Sequence, residues 1–102
     1  MLRDWLHYAS LIQKFKNKGL KKLFESGASS GVKQQHVRRL RHILALLETA
    51  ENLDDMALPG LNLHELKGKR KGTWSVHVTG NWRITFKLKK GDVFDVDYED
   101  YH

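Results

Sequence analysis

The stretch Thr73-Trp74-Ser75-Val76-His77-Val78-Thr79-Gly80-Asn81-Trp82-Arg83-Ile84-Thr85-Phe86-Lys87-Leu88 decides the architecture. Trp74, Val76 and Val78 alternate with Thr73, Ser75, His77 and Thr79. After Gly80-Asn81, Trp82, Ile84, Phe86 and Leu88 alternate with Arg83, Thr85 and Lys87. A period of two is that of a strand with one apolar and one wet face. Gly80-Asn81 reads as a two-residue hairpin turn, because both residue types tolerate positive φ. Lys89-Lys90-Gly91-Asp92 makes a second turn, and Phe94, Val96 and Tyr98 form the inward face of a final strand. The expected unit is a three-strand meander with Trp74, Trp82 and Phe86 in the core.

Upstream the period lengthens. Val37, Leu40, Ile43, Leu44 and Leu47 recur at helical spacing and predict a helix over 32–50, with Lys33, Arg38, Arg39, Arg41 and His42 on its other face. Asn17 is a suitable N-cap, Leu20, Leu23 and Phe24 follow at i, i+3 and i+4, and Gly27 sits where a helix stops. Leu11 to Phe15 suggests a short first strand. Residues 51–63, with Asn52, Asp54, Asp55, Pro59 and Gly60, read as an irregular crossing. The fold class is therefore α+β, with two N-terminal helices packed on a mostly antiparallel sheet that ends in a meander. One domain over 1–102 is expected, with 1–10 an extra N-terminal segment of unknown role.

The 102 residues are 40% hydrophobic, enough for a single core, and contain no cysteine. That excludes a disulfide framework and thiolate zinc, and fits a reducing cytosol. No apolar run reaches the roughly 18–20 residues of a membrane span, and Met1 to Ser10 lacks a secretory apolar stretch. The expected location is cytoplasmic. A net charge of +6 points to a polyanion, RNA or DNA first.

Strand parity puts Arg83, Ser75 and His77 on the face away from the helices. Ahead of the meander comes His64-Glu65-Leu66-Lys67-Gly68-Lys69-Arg70-Lys71, and the chain finishes Tyr98-Glu99-Asp100-Tyr101-His102. Cutting RNA without a metal needs a base for the ribose 2′-OH, cations for the charge on phosphorus and an acid for the leaving 5′ oxygen. Histidine can do the first and last, Arg and Lys the second. Tyr101 can stack on an unpaired base. Taken singly, each residue also has an ordinary reading. His64 could be a solvated loop histidine, Lys67 to Lys71 a solvated turn, Arg83 an ion-pair partner of Asp95 or Asp97, and Tyr101-His102 frayed ends. A metal site from His64, His77 and His102 lacks any HxxxH or HxH spacing.

Several stretches together resemble a known family. Phe15-Lys16-Asn17-Lys18-Gly19-Leu20 with Leu23-Phe24-Glu25, then Leu63-His64-Glu65-Leu66-Lys67-Gly68, then Trp74-Ser75-Val76 and Asn81-Trp82-Arg83-Ile84-Thr85-Phe86, and the ending Asp100-Tyr101-His102 are similar to the HigB host-inhibition toxins of the RelE superfamily. The similarity covers roughly residues 12–102. It implies a microbial RNase-like α+β fold and cleavage of messenger RNA in the ribosomal A site by 2′-OH attack, which inhibits translation. It implies no cofactor and no metal. The implied partners are the 70S ribosome with its messenger and a HigA-type helix-turn-helix antitoxin, with DNA contacted only through the antitoxin complex. The family's functional positions fall on His64, Lys67, Arg83, Asp100, Tyr101 and His102. Arg70, with Lys69 and Lys71, and the helix residues Arg38 and Arg41 are candidate RNA or ribosome contacts. Glu65 departs from the family, which often has proline there; it could orient His64. If His102 belongs to the site, residues added after it should weaken activity. A gyrase-poisoning toxin of the ParE type is the alternative on the same fold, and a non-catalytic nucleic-acid-binding module is the alternative from another class.

Overall fold

The computed structural model describes residues 11–101. The expectations for the extra N-terminal segment and for His102 lie outside the described residues.

Helix α1 runs Lys18–Ser26. Asn17 is extended, and its side-chain carbonyl accepts the Leu20 amide at 2.8 Å. Gly27 closes the helix at φ 78°, in the left-handed region that glycine enters without penalty, and its amide reaches the Leu23 carbonyl. The longer helix is split. Gln34–His36 form a 3-10 turn and α2 proper spans Val37–Thr49, burying Leu40, Ile43, Leu44 and Leu47. Among the described residues no helix is long and apolar enough to cross a membrane.

The sheet has four antiparallel strands in sequence order: β1 (His64–Glu65), β2 (Trp74–Thr79), β3 (Trp82–Lys89) and β4 (Asp92–Asp100). The meander is thus one strand longer than expected. Two residues carry no readable periodicity, so β1 shows only through its pairing, His64 with Ser75 and Glu65 with Trp74. Of the first turn only Gly80 takes positive φ, at 57°, while the second uses two such residues, Lys90 and Gly91.

The final strand departs from simple alternation. Asp95 sits at φ 53°, and the register with β3 slips so that Thr85 pairs with Asp97 but Lys87 with Phe94. This bulge exchanges the faces on either side of it. Val93 and Val96 are therefore fully buried together, and Phe94, expected inside, is only half-buried. The expected strand at Leu11 to Phe15 makes two parallel bridges to β4, Ile12 with Val93 and Phe15 with Val96. Four backbone hydrogen bonds of 2.7 to 3.0 Å close that edge.

Val76, Ile84, Phe86, Val93 and Val96 on the sheet meet Leu20, Leu23, Leu40, Ile43, Leu44 and Leu47 on the helices in one core. Trp74 and Trp82 pack on its margin, half-buried, rather than inside it. Arg39 leaves the helix to donate to the Gly60 carbonyl at 2.8 Å and the His77 carbonyl at 3.0 Å, tying the irregular crossing to β2. Gly19 and Gly31 bring α1 and the α1–α2 loop into direct backbone contact.

Trp82 stacks on Tyr98 at 4.6 Å between ring centres, and His36 completes the cluster edge-on. The Tyr98 hydroxyl lies 2.5 Å from His36 Nδ1 and accepts from the Lys33 backbone. This leaves the hydroxyl proton placed to be donated to Nδ1 of a neutral ring. Burial, with nearby Lys33 second, lowers the His36 pKa from its usual 6.5. A lowered imidazole pKa means that the unfolded chain binds the extra proton more readily. Stability is then full above about pH 6.5 and is lost as pH falls through the folded value. The melting temperature of the native chain should fall over that window, and His36→Phe should flatten the profile. A native profile indifferent to pH there would show that His36 is not held neutral.

Candidate active site

The face of the sheet turned away from the helices carries polar rows. Pairing aligns His64, Ser75, Thr85 and Asp97 in one row and His77, Arg83 and Glu99 in the next. Tyr101 follows Glu99 in phase, its amide bonded to the Asn81 carbonyl at 2.7 Å. The loop between β1 and β2 folds over this face, and His64, Glu65, Leu66, Lys67, Arg70 and Tyr101 line an open cleft of about 410 Å³.

His64 is exposed on β1, and its Nδ1 lies 3.0 Å from the Asn62 carbonyl. A carbonyl only accepts, so Nδ1 carries the proton and Nε2 is left as the basic nitrogen. Lys67 is exposed at the start of the 3-10 turn Gly68–Arg70. Glu65 does not orient His64, because its carboxylate accepts the Gly72 amide at 2.8 Å and so closes the loop on itself.

Arg83 is the most telling residue. Its guanidinium carbon lies 4.2 Å from the centre of the Tyr101 ring, a cation–π contact with a residue that is itself 51% exposed. One nitrogen makes a long 3.4 Å hydrogen bond to the buried Ser75 hydroxyl. Its Nε is buried with no hydrogen-bond partner among the described residues. The expected alternative, an ion pair to Asp95 or Asp97, is not formed; Asp95 takes Lys14 and Lys87 instead, each at 3.9 Å. A half-buried cation with so little compensation is costly unless an anion comes to it.

The carboxylate nearest in register is already engaged. Glu99 lies directly opposite Arg83, yet both its oxygens accept from Arg70, at 2.8 and 2.6 Å, and one also accepts the Thr85 hydroxyl. Arg70, then Thr85, hold the Glu99 pKa below the usual carboxylate range against the opposing effect of burial. Glu99 correspondingly raises that of Arg70. The sequence reading overlooked Glu99; its phase with Arg83 and Tyr101 was the available signal.

The structure thus gathers His64, Lys67, Arg70, Arg83 and Tyr101. Asp100 is paired with Trp82, one residue out of phase with Tyr101, so alternation sets it on the other side of the sheet. Lys69 lines an adjoining pocket with Lys16, Thr73, Thr85 and Lys87, and Lys71 is exposed at the end of its turn. Arg38 and Arg41 belong to the helical layer across the core, where Arg41 donates to the Gly27 carbonyl at 3.1 Å. Among the described residues no three His, Asp or Glu side chains are placed to hold a metal ion.

Residues 13–102 match the family described as the RelE-like toxin of type II toxin-antitoxin system HigB. The chain belongs to the HigB-like toxins. It is similar to Endoribonuclease HigB of Proteus vulgaris, 47% identical over 92 residues that cover 90% of this chain and 100% of that protein. The family match carries the toxin reading reached from the sequence, and the relative's name carries the endoribonuclease one. The two helices over an antiparallel sheet are compatible with a RelE-like fold. As a type II toxin, this HigB-like chain has an antitoxin for a partner.

Proposed function

We propose that this HigB-like toxin is an endonuclease that cuts messenger RNA on the ribosome and so stops translation. The observation that carries the reading is Arg83, a cation held under Tyr101 with no carboxylate partner among the described residues, on the same sheet face as a histidine whose Nε2 is left basic. A phosphodiester supplies the missing anion, and the exposed Tyr101 ring supplies a surface for a base. In the reaction the 2′ oxygen forms a bond to phosphorus and the bond from phosphorus to the 5′ oxygen breaks. The products are a cyclic phosphate and a 5′-OH. His64 takes the 2′ proton through Nε2, or His102 does so; the other histidine protonates the leaving oxygen. Arg83 and Lys67 meet the charge that builds on the phosphate oxygens. The reading extends to a cytoplasmic location and an antitoxin of the HigA type.

Primer extension on a defined messenger, with and without programmed 70S ribosomes, tests this. Codon-phased cuts only with ribosomes, lost in His64→Ala or His102→Ala, are expected. Equal cutting of naked RNA would remove the ribosome from the mechanism. No cutting in any lane would move attention to gyrase poisoning.

A further inference from the structure

Glu99 stands directly across the strand pair from Arg83. Opposed residues in an antiparallel pair bring their Cβ atoms to about 4.5–5.5 Å, well within reach of a carboxylate for a guanidinium. Left to itself, Glu99 would pair with Arg83 and fill the place a phosphate needs. It does not, because Arg70 grips both of its oxygens and Thr85 holds one of them from β3.

The loop is shaped for that grip. Arg70 ends a 3-10 turn whose backbone closes through Lys71 to Gly68 and Thr73 to Arg70, and Glu65 fastens the following Gly72. The pairing is bidentate and its side chains are 44% and 20% exposed, so the Glu99 carboxylate is held in one place. We infer that Arg70 is a positioning residue, which sequesters Glu99 so that Arg83 stays open to the scissile phosphate. This rests on the proposed ribonuclease reaction and goes beyond it. It also separates Arg70 from the plain cationic contacts, since the guanidinium works by what it withholds from its neighbour and not by touching RNA.

The two roles predict different double variants. Purified full-length chains carrying Arg70→Ala, Glu99→Gln or both are compared on messenger with programmed ribosomes. Arg70→Ala should lower the cleavage rate at least about tenfold, because the freed carboxylate neutralises a charge the transition state uses. Adding Glu99→Gln should bring the rate back to within about threefold of the native chain, the signature of coupled residues. Glu99→Gln alone should cleave like the native chain. In parallel, the Nε–Hε resonance of Arg83 should shift in Arg70→Ala and return in the double variant, with all four proteins giving the same melting behaviour. A double variant no more active than Arg70→Ala would make Arg70 a direct RNA contact and overturn the inference. So would loss of cleavage in Glu99→Gln alone, which would put Glu99 in the chemistry. If the native chain itself fails to cut, the proposed reaction falls, while the Arg83 resonance still decides whether Arg70 keeps Glu99 away.

Discussion

Arg83→Ala should abolish messenger cleavage, by about a hundredfold or more in rate, as removal of a single transition-state donor does elsewhere. The fold should survive. The side chain contributes one long hydrogen bond to Ser75 and a stack on Tyr101, and its Nε has no hydrogen-bond partner among the described residues, so stability has little to lose. Thermal melting beside primer extension checks both halves. Arg83→Lys should restore little, because an ammonium lacks the planar face that lies on Tyr101 and the fork that holds two phosphate oxygens. An Arg83→Ala protein that still cuts at the native rate would remove this residue from the site.

Gly19→Val should damage the fold although it adds only apolar atoms. Glycine inside a helix is ordinarily a weakness, and alanine in its place gains about 1 kcal/mol. Here the sign reverses. A Cβ at Gly19 would lie 2.2 Å from the Gly31 carbonyl oxygen, and one at Gly31 would lie 2.6 Å from the Gly19 Cα. Both obstacles are backbone, which cannot turn aside as a side chain can. Separating α1 from the loop would also loosen Leu20 and Leu23, which are buried on the same helix. A loss of about 1–3 kcal/mol or more is expected for such overpacking, read as a lower urea midpoint. Gly19→Ala should already destabilise; an alanine variant as stable as the native chain would show that the two backbones can part at no cost.

Much of this architecture was legible from period alone. The alternation of Trp74 to Leu88 placed Val76, Ile84 and Phe86 inside and turned Ser75 and Arg83 to the opposite face, as found, although Ser75 lies buried there. The failures share one cause, which is that local pattern does not encode register. The bulge at Asp95 puts Val93 where Phe94 was expected, and nothing in the composition of Asp92 to Asp100 announces an aspartate at positive φ. β1 is too short to have a period. The same limit applied to the site. His64, Lys67, Arg83 and Tyr101 were picked by chemical type and by resemblance, and the fold brings them to one face. Glu99 and Arg70 are 29 positions apart, and their pairing follows only once β3 and β4 are aligned and the loop has turned over them. Asp100 drew attention by its neighbours in sequence, yet one residue of phase sets it with Trp82.

The short parallel segment beside β4 has a bearing on how the molecule meets other chains. An unpaired strand edge is a template on which a second polypeptide can extend a sheet, natively or in aggregates. Here the long outer strand, β4, has its edge occupied at Ile12 to Lys16 by the chain's own backbone. The opposite margin is β1, two residues long and made of a histidine and a glutamate. Along these stretches the sheet leaves little room for strand addition. Along Val93 to Val96 recognition is thereby shifted from backbone to side chains: from the generic hydrogen-bonding ladder any peptide can join to the particular charges and rings on the faces.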